Sequence, residues 1–184
     1  MACRAIADMI PGDVSLLAGY MASGLPDMMD NIHAMADAGA QVAVVTAPGY
    51  FTYNTEEIET IFLKLADTSP LPVMLYDIPG FARVKLDGDM VVRLARHGNI
   101  IGFKDSTADF ERFRGLLVAL SELPDFYLLQ GKERVLADSL FLGAAGFVVS
   151  MVHIAPATFV ALRRAARAGN REAAERIQTE IIRL

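Results

Sequence analysis

A chain of 184 residues, 53% of them hydrophobic, carries enough apolar material for a sizeable core and fits one domain better than two. Its formal net charge of −5, with acidic and basic residues scattered rather than blocked, leaves no electrostatic footprint for nucleic-acid phosphates or anionic lipid, so neither kind of partner is expected. No segment approaches the roughly 18 consecutive apolar residues of a spanning helix, the opening MACRAIADMIPGD lacks the marks of a cleaved leader, and Cys3, the single cysteine, excludes an internal disulfide; a cytoplasmic location is expected.

In chain order, residues 2–9 look like the end of a helix, and 14–18 a first strand followed by a helix over 25–38. A second strand is expected at 41–46, then a helix over 55–66 whose start is marked by Asn54 or Thr55 as cap and by Glu56 and Glu57 in its first turn. Strand 72–76 and helix 87–96 follow, then strand 99–104 and helix 108–120, then strand 125–130 and helix 133–142. Ser106 with Asp109 resembles a capping box, and Gly98 and Gly143 stand where helices commonly stop. A sixth strand at 146–151 precedes helices over 156–168 and 171–183; from 170 on the chain looks like the start of a C-terminal helical extension.

Short apolar runs alternating with helical periodicity indicate parallel strands joined by crossover helices. Such a series suits an open doubly wound sheet or a barrel of about 250 residues, and periodicity alone does not choose. The first strand leads into AGYMASGLPD, which is not the G-x-G-x-x-G of a dinucleotide fold, and this tilts the reading to the barrel. The expected fold is therefore α/β, an incomplete (β/α)8 TIM barrel with about six βα units, the first two strands missing, and 1–184 as a single partial barrel domain.

Ligands bind at the carboxyl ends of parallel strands in either architecture, so strand-ending residues are the candidates. NIIGFKDS ends its strand with Lys104 directly after a mostly buried run. Desolvation there disfavours an ammonium and frees an amine to attack a carbonyl, the chemistry of imine formation. An ordinary solvent-facing lysine is the competing reading. PVMLYDIPG ends with Tyr76 at the corresponding level, and a phenol can both give and accept the protons that a carbinolamine must shed and an aldol must move. Tyr50, in VVTAPGYF, is a second phenol on that face, although a loop tyrosine also serves packing. Gly131 and the segment GFVVSM end the fifth and sixth strands with small residues and backbone carbonyls that keep room for a ligand. His33, His97 and His153 lie on separate segments and supply no metal cluster; Asp77 and Asp105 suit caps or ion pairs better than acid–base work.

Together these segments resemble the dihydrodipicolinate synthase and N-acetylneuraminate lyase family of Schiff-base, pyruvate-dependent aldolases. The resemblance lies in LPVMLYDIPG, its tyrosine motif, and NIIGFKDSTAD, its lysine motif, with APGYF, LLQG, LGAAGFVVS and HIAP in the same order and spacing, so it covers nearly the whole chain. It implies that Lys104 forms an imine with pyruvate or a related 2-keto acid for addition to, or cleavage from, an aldehyde. It further implies that Tyr76 is the main proton donor and acceptor, that Tyr50 extends the relay from a neighbouring subunit, and that Gly131 and the backbone near Val148 line the keto-acid pocket. No cofactor or metal is implied, and the family's usual assemblies are homo-oligomers, dimers or tetramers. Three departures stand out. The family's Gly-Thr-Thr-Gly-Glu loop, which binds the keto-acid carboxylate, belongs to an early strand with no counterpart here. The arginine that the synthase branch places two residues beyond the motif's proline is replaced by Phe81, which counts against semialdehyde condensation and favours a sugar-acid aldolase or a dehydratase. Asp77 stands where asparagine is commoner. A catalytically inactive truncated barrel or binding remnant is the alternative, and a metal-dependent aldolase a third reading.

Overall fold

The structure, a computed structural model, describes residues 2–82 and 84–184. The chain forms two compact units, Met1–Phe103 and Lys104–Leu184. The first holds α1 (Ala2–Ala7), β1 (Leu17–Tyr20), α2 (Leu25–Asp37), β2 (Val42–Thr46), α3 (Thr55–Thr68), β3 (Val73–Asp77), α4 (Pro79–Ala82), α5 (Gly88–Leu94) and most of β4 (Ile100–Asp105), whose last two residues open the second unit. The second continues with α6 (Phe110–Ala119), β5 (Tyr127–Gln130), a 3-10 turn (Glu133–Val135), α7 (Leu136–Phe141), β6 (Gly146–Phe147), a second 3-10 turn (Ser150–His153), α8 (Pro156–Arg167) and α9 (Arg171–Ile182). Strands are hydrogen-bonded in chain order, β1-β2-β3-β4-β5-β6. The pairing of β1 with β2, β2 with β3 and β5 with β6 is parallel, as strand–helix–strand crossovers require.

In the first unit, β2 and β3 are buried on both faces, which is why their first four residues, VAVV and VMLY, run apolar without alternation, and only the closing Thr46 and Asp77 are polar. Phe62, Leu65, Val73, Leu75, Val91 and Leu94 are fully enclosed. α3 covers this sheet through Ile58, Phe62, Leu65 and Ala66, spaced to share one helix face. It starts at Asn54: the side chain accepts from Glu57 N at 2.9 Å while the Glu57 carboxylate accepts from Asn54 N at 2.8 Å. The expected first strand is displaced to Leu17–Tyr20. It is largely exposed and has little apolar patterning, and Gly19 allows it close to β2, since a Cβ there would stand 3.3 Å from Val44 O. α4 was not expected; Pro79 supplies its first residue with a preset φ.

In the second unit Leu136, Ala137, Val149, Phe159, Leu162, Ala174 and Ile181 form one buried cluster. The sixth strand is Gly146–Phe147, shorter than the run 146–151. Val148 N still donates to Gln130 O at 3.0 Å, but the chain then turns into Ser150–His153, and Val149, Met151 and Val152 use their apolar side chains for packing rather than pairing. The helix expected from 133 starts as a 3-10 turn and becomes α-helical only at Leu136. Gly143 stops α7 with φ +104°, a conformation glycine adopts without strain. The expected Ser106–Asp109 box is replaced by Asp109 alone, which accepts from Arg112 N at 3.0 Å after Ala108 has turned the chain at φ +67°. Among the described residues no helix is long and apolar enough to cross a membrane.

Candidate active site

Lys104 and Asp105 end β4 with opposite orientations, as strand geometry dictates. Asp105 is buried. Its Oδ1 accepts from Thr107 N and Thr107 Oγ1, both at 2.7 Å, and its Oδ2 from Arg112 Nη2 of α6 at 2.8 Å. Its side chain is therefore committed to the α6 side, and the half-buried Lys104 points to the other face. An ion pair this enclosed, with side chains 12% and 3% exposed, needs further hydrogen bonds to offset lost hydration, and on the carboxylate Thr107 supplies them.

The end of β5 lies against the same strand. Gly131 N donates to Asp105 O at 2.7 Å, and a Cβ at Gly131 would stand 2.6 Å from that oxygen and overlap Ser106 Oγ. Glycine at this place is thus required by a close backbone approach. Gln130, 3% exposed, fixes the turn beyond: its Oε1 accepts from Gly131 N and Lys132 N, and its Nε2 donates to Ser139 Oγ. Val148 follows β6 with an exposed side chain and its N–H on Gln130 O.

In the first unit Tyr76 is half-buried near the end of β3, in register with Thr46 of β2, so the two side chains leave the same face of the sheet. Thr46 Oγ1 is sealed from solvent without a hydrogen-bond partner among the described residues, a polar feature that sequence reasoning missed because Thr is an ordinary strand residue. Asp77, 1% exposed, accepts from Leu86 N at 3.2 Å and so ties the strand end to the segment beyond α4. Tyr50 is 75% exposed, its ring edge-on to Phe51 at 4.8 Å, and Phe81 is exposed too.

The histidines lie on three separate segments of the chain. His33 is exposed on α2, and His153 ends the second 3-10 turn. His97 Nε2 lies 3.0 Å from Asp67 Oδ1 while its Nδ1 accepts from Asn99 N.

Each taken within its own unit, Tyr76 lies near the end of β3, Lys104 near the end of β4 and Gly131 directly after β5. The family model described as the dihydrodipicolinate synthetase family matches residues 2–184. The chain belongs to this family. It is 31% identical over 178 residues to the 4-hydroxy-tetrahydrodipicolinate synthase of Thioalkalivibrio sulfidiphilus, covering 97% of this chain and 60% of that protein. It is 34% identical over 171 residues to the synthase of the same name from Xanthomonas axonopodis pv. citri, covering 93% and 56%. Among solved structures it resembles the chloride-inhibited dihydrodipicolinate synthase from Acinetobacter baumannii complexed with pyruvate, with a TM-score of 0.90 and 27% identity over 96% of this chain and 60% of that one. The fold class is accordingly that of this family, α/β and an incomplete (β/α)8 barrel, and the chain spans about 60% of the length of these relatives.

Proposed function

We propose that the chain carries the Schiff-base site of a lyase acting on pyruvate or a related 2-keto acid. The observation that carries this reading is Lys104, half-buried at the end of β4, in a chain whose family includes a member solved with pyruvate. In the proposed reaction Lys104 Nζ attacks the keto carbon, a C–N bond forms, and the keto oxygen, protonated to a carbinolamine hydroxyl, departs as water to leave the imine. The imine then withdraws electrons while a carbon–carbon bond is made or broken with an aldehyde, or while a hydroxyl is eliminated. Tyr76 gives and takes the protons, with Tyr50 extending that relay from a neighbouring subunit of a dimer or tetramer. Gly131 and the backbone at Val148 line the keto-acid pocket, with 1–184 acting as one partial barrel domain in the cytoplasm. The steps draw on no cofactor. Phe81 in place of an arginine supports a sugar-acid aldolase or dehydratase over semialdehyde condensation.

Pyruvate with borohydride should add a reduced pyruvyl group to the peptide holding Lys104 and leave Lys104→Ala unlabelled. A folded protein with no adduct would end the proposal. Turnover of a panel of 2-keto acids by the 184-residue chain would separate this reading from that of a catalytically inactive barrel or binding remnant.

A further inference from the structure

Gln178 is a polar residue on the buried face of α9, 9% exposed and flanked by the core residues Ala174 and Ile181 one turn to either side. Helix periodicity calls for an apolar residue here, and burying an amide is unfavourable unless both its ends are hydrogen-bonded. Both are. Its Oε1 accepts from Ala137 N at 2.9 Å, and its Nε2 donates to Glu133 O at 2.7 Å. Ala137 N belongs to the first turn of α7, one of the amides a helix leaves without an internal partner, and Val135 at the cap gives no side-chain hydrogen bond. Glu133 lies two residues beyond Gly131. The turn between β5 and α7 is therefore gripped at both ends: Gln130 and Ser139 hold residues 131 and 132, and Gln178 holds 133 and 137 from a helix about forty positions further along the chain. The Glu133 side chain also accepts from Ser150 Oγ at 3.2 Å, which links the same turn to the segment after β6.

We propose that Gln178 is a positioning residue of the keto-acid pocket: through Glu133 and Ala137 it fixes the turn that begins at Gly131, so the affinity for the keto acid depends on the docking of α9. This rests on the reading of Gly131 as pocket lining. An apolar residue at 178 would satisfy the core but leave Ala137 N–H and Glu133 C=O without the partners that set the turn. Glutamate keeps shape and acceptor but has no N–H for Glu133 O, so it removes one of the two bonds at constant size.

The test uses the 184-residue chain with Gln178→Met and Gln178→Glu, pyruvate trapping by borohydride, and peptide-level hydrogen exchange. The expected result is a rise of about tenfold or more in half-saturating pyruvate for Gln178→Met and a smaller rise for Gln178→Glu, with the same maximal labelling at saturation. Exchange should quicken over 131–137 and stay unchanged in β2 and β3. Wild-type pyruvate dependence in Gln178→Glu and Gln178→Met would overturn the pocket role and leave the Schiff-base reading standing. No adduct in the wild type itself would overturn the Schiff-base reading and this one with it.

Discussion

Gly131→Ala tests whether close backbone approach, rather than flexibility, demands the glycine. An added Cβ would stand 2.6 Å from Asp105 O and 3.1 Å from Ser106 Cβ, and would overlap Ser106 Oγ. Carbon and oxygen tolerate about 3.3 Å, so the two strand ends must separate by about 0.7 Å even after Ser106 rotates away. That displacement stretches the Gly131 N to Asp105 O bond from 2.7 Å to about 3.4 Å, past the usual N–H···O range. Overpacking costs about 1–3 kcal/mol and a weakened, partly buried hydrogen bond about another 1, so a loss of about 2–4 kcal/mol is expected. With a urea dependence of about 2 kcal/mol per molar, the midpoint of unfolding followed by circular dichroism falls by about 1–2 M. Adding Ser106→Ala returns only part of this, because the Asp105 carbonyl still faces the new methyl. A midpoint within about 0.3 M of wild type would show that the strand ends yield freely and refute the steric argument.

Two further outcomes are expected. Arg112→Leu strands the Asp105 carboxylate beneath α6 and costs about 3–5 kcal/mol, whereas Arg112→Leu with Asp105→Asn costs clearly less; urea midpoints showing equal losses would mean the pair is not closed off from water. At the surface, Arg93 donates to both oxygens of Glu59, at 2.8 and 2.6 Å, and this hydrogen bonding holds the carboxyl below its ordinary value of 4.5. Since the folded value is the lower one, the contribution is fully present above pH 4.5 and is lost as pH falls through the folded value, so the difference in Tm between wild type and Glu59→Gln should shrink between about pH 6 and pH 3. A difference unaltered over that range would detach it from the carboxylate's charge.

The strands β2, β3 and β4 were legible because a strand buried on both faces must be apolar throughout, and Asn54 announced α3 through chemistry confined to four residues. β1 was not, since its surroundings leave it exposed and nothing in its side chains marks the register; only its contact with β2 does. Val149 misled for the opposite reason: a β-branched apolar residue suits a strand and a packed turn equally, and the choice is made by Phe159 and Leu162 about ten residues on. Lys104, Tyr76 and Gly131 could be named from strand-end position, but the grip on Asp105 and on the turn after Gly131 depends on partners such as Arg112 and Gln178 whose polar character alone suggests solvent. Tyr50 was named from its motif, and its contact with Phe51 follows from the loop rather than from any strand.

Placing Lys104 and Asp105 on opposite faces of one strand divides labour between neighbours. The carboxylate has its oxygens occupied by Thr107 and Arg112, so it works as a rivet and has little left to offer as a base. Exchanging the residue at 104 alters the chemistry proposed for it while the Thr107 and Arg112 bonds that moor the neighbouring carboxylate stay in place, which makes this position a natural place to graft a different reactive group.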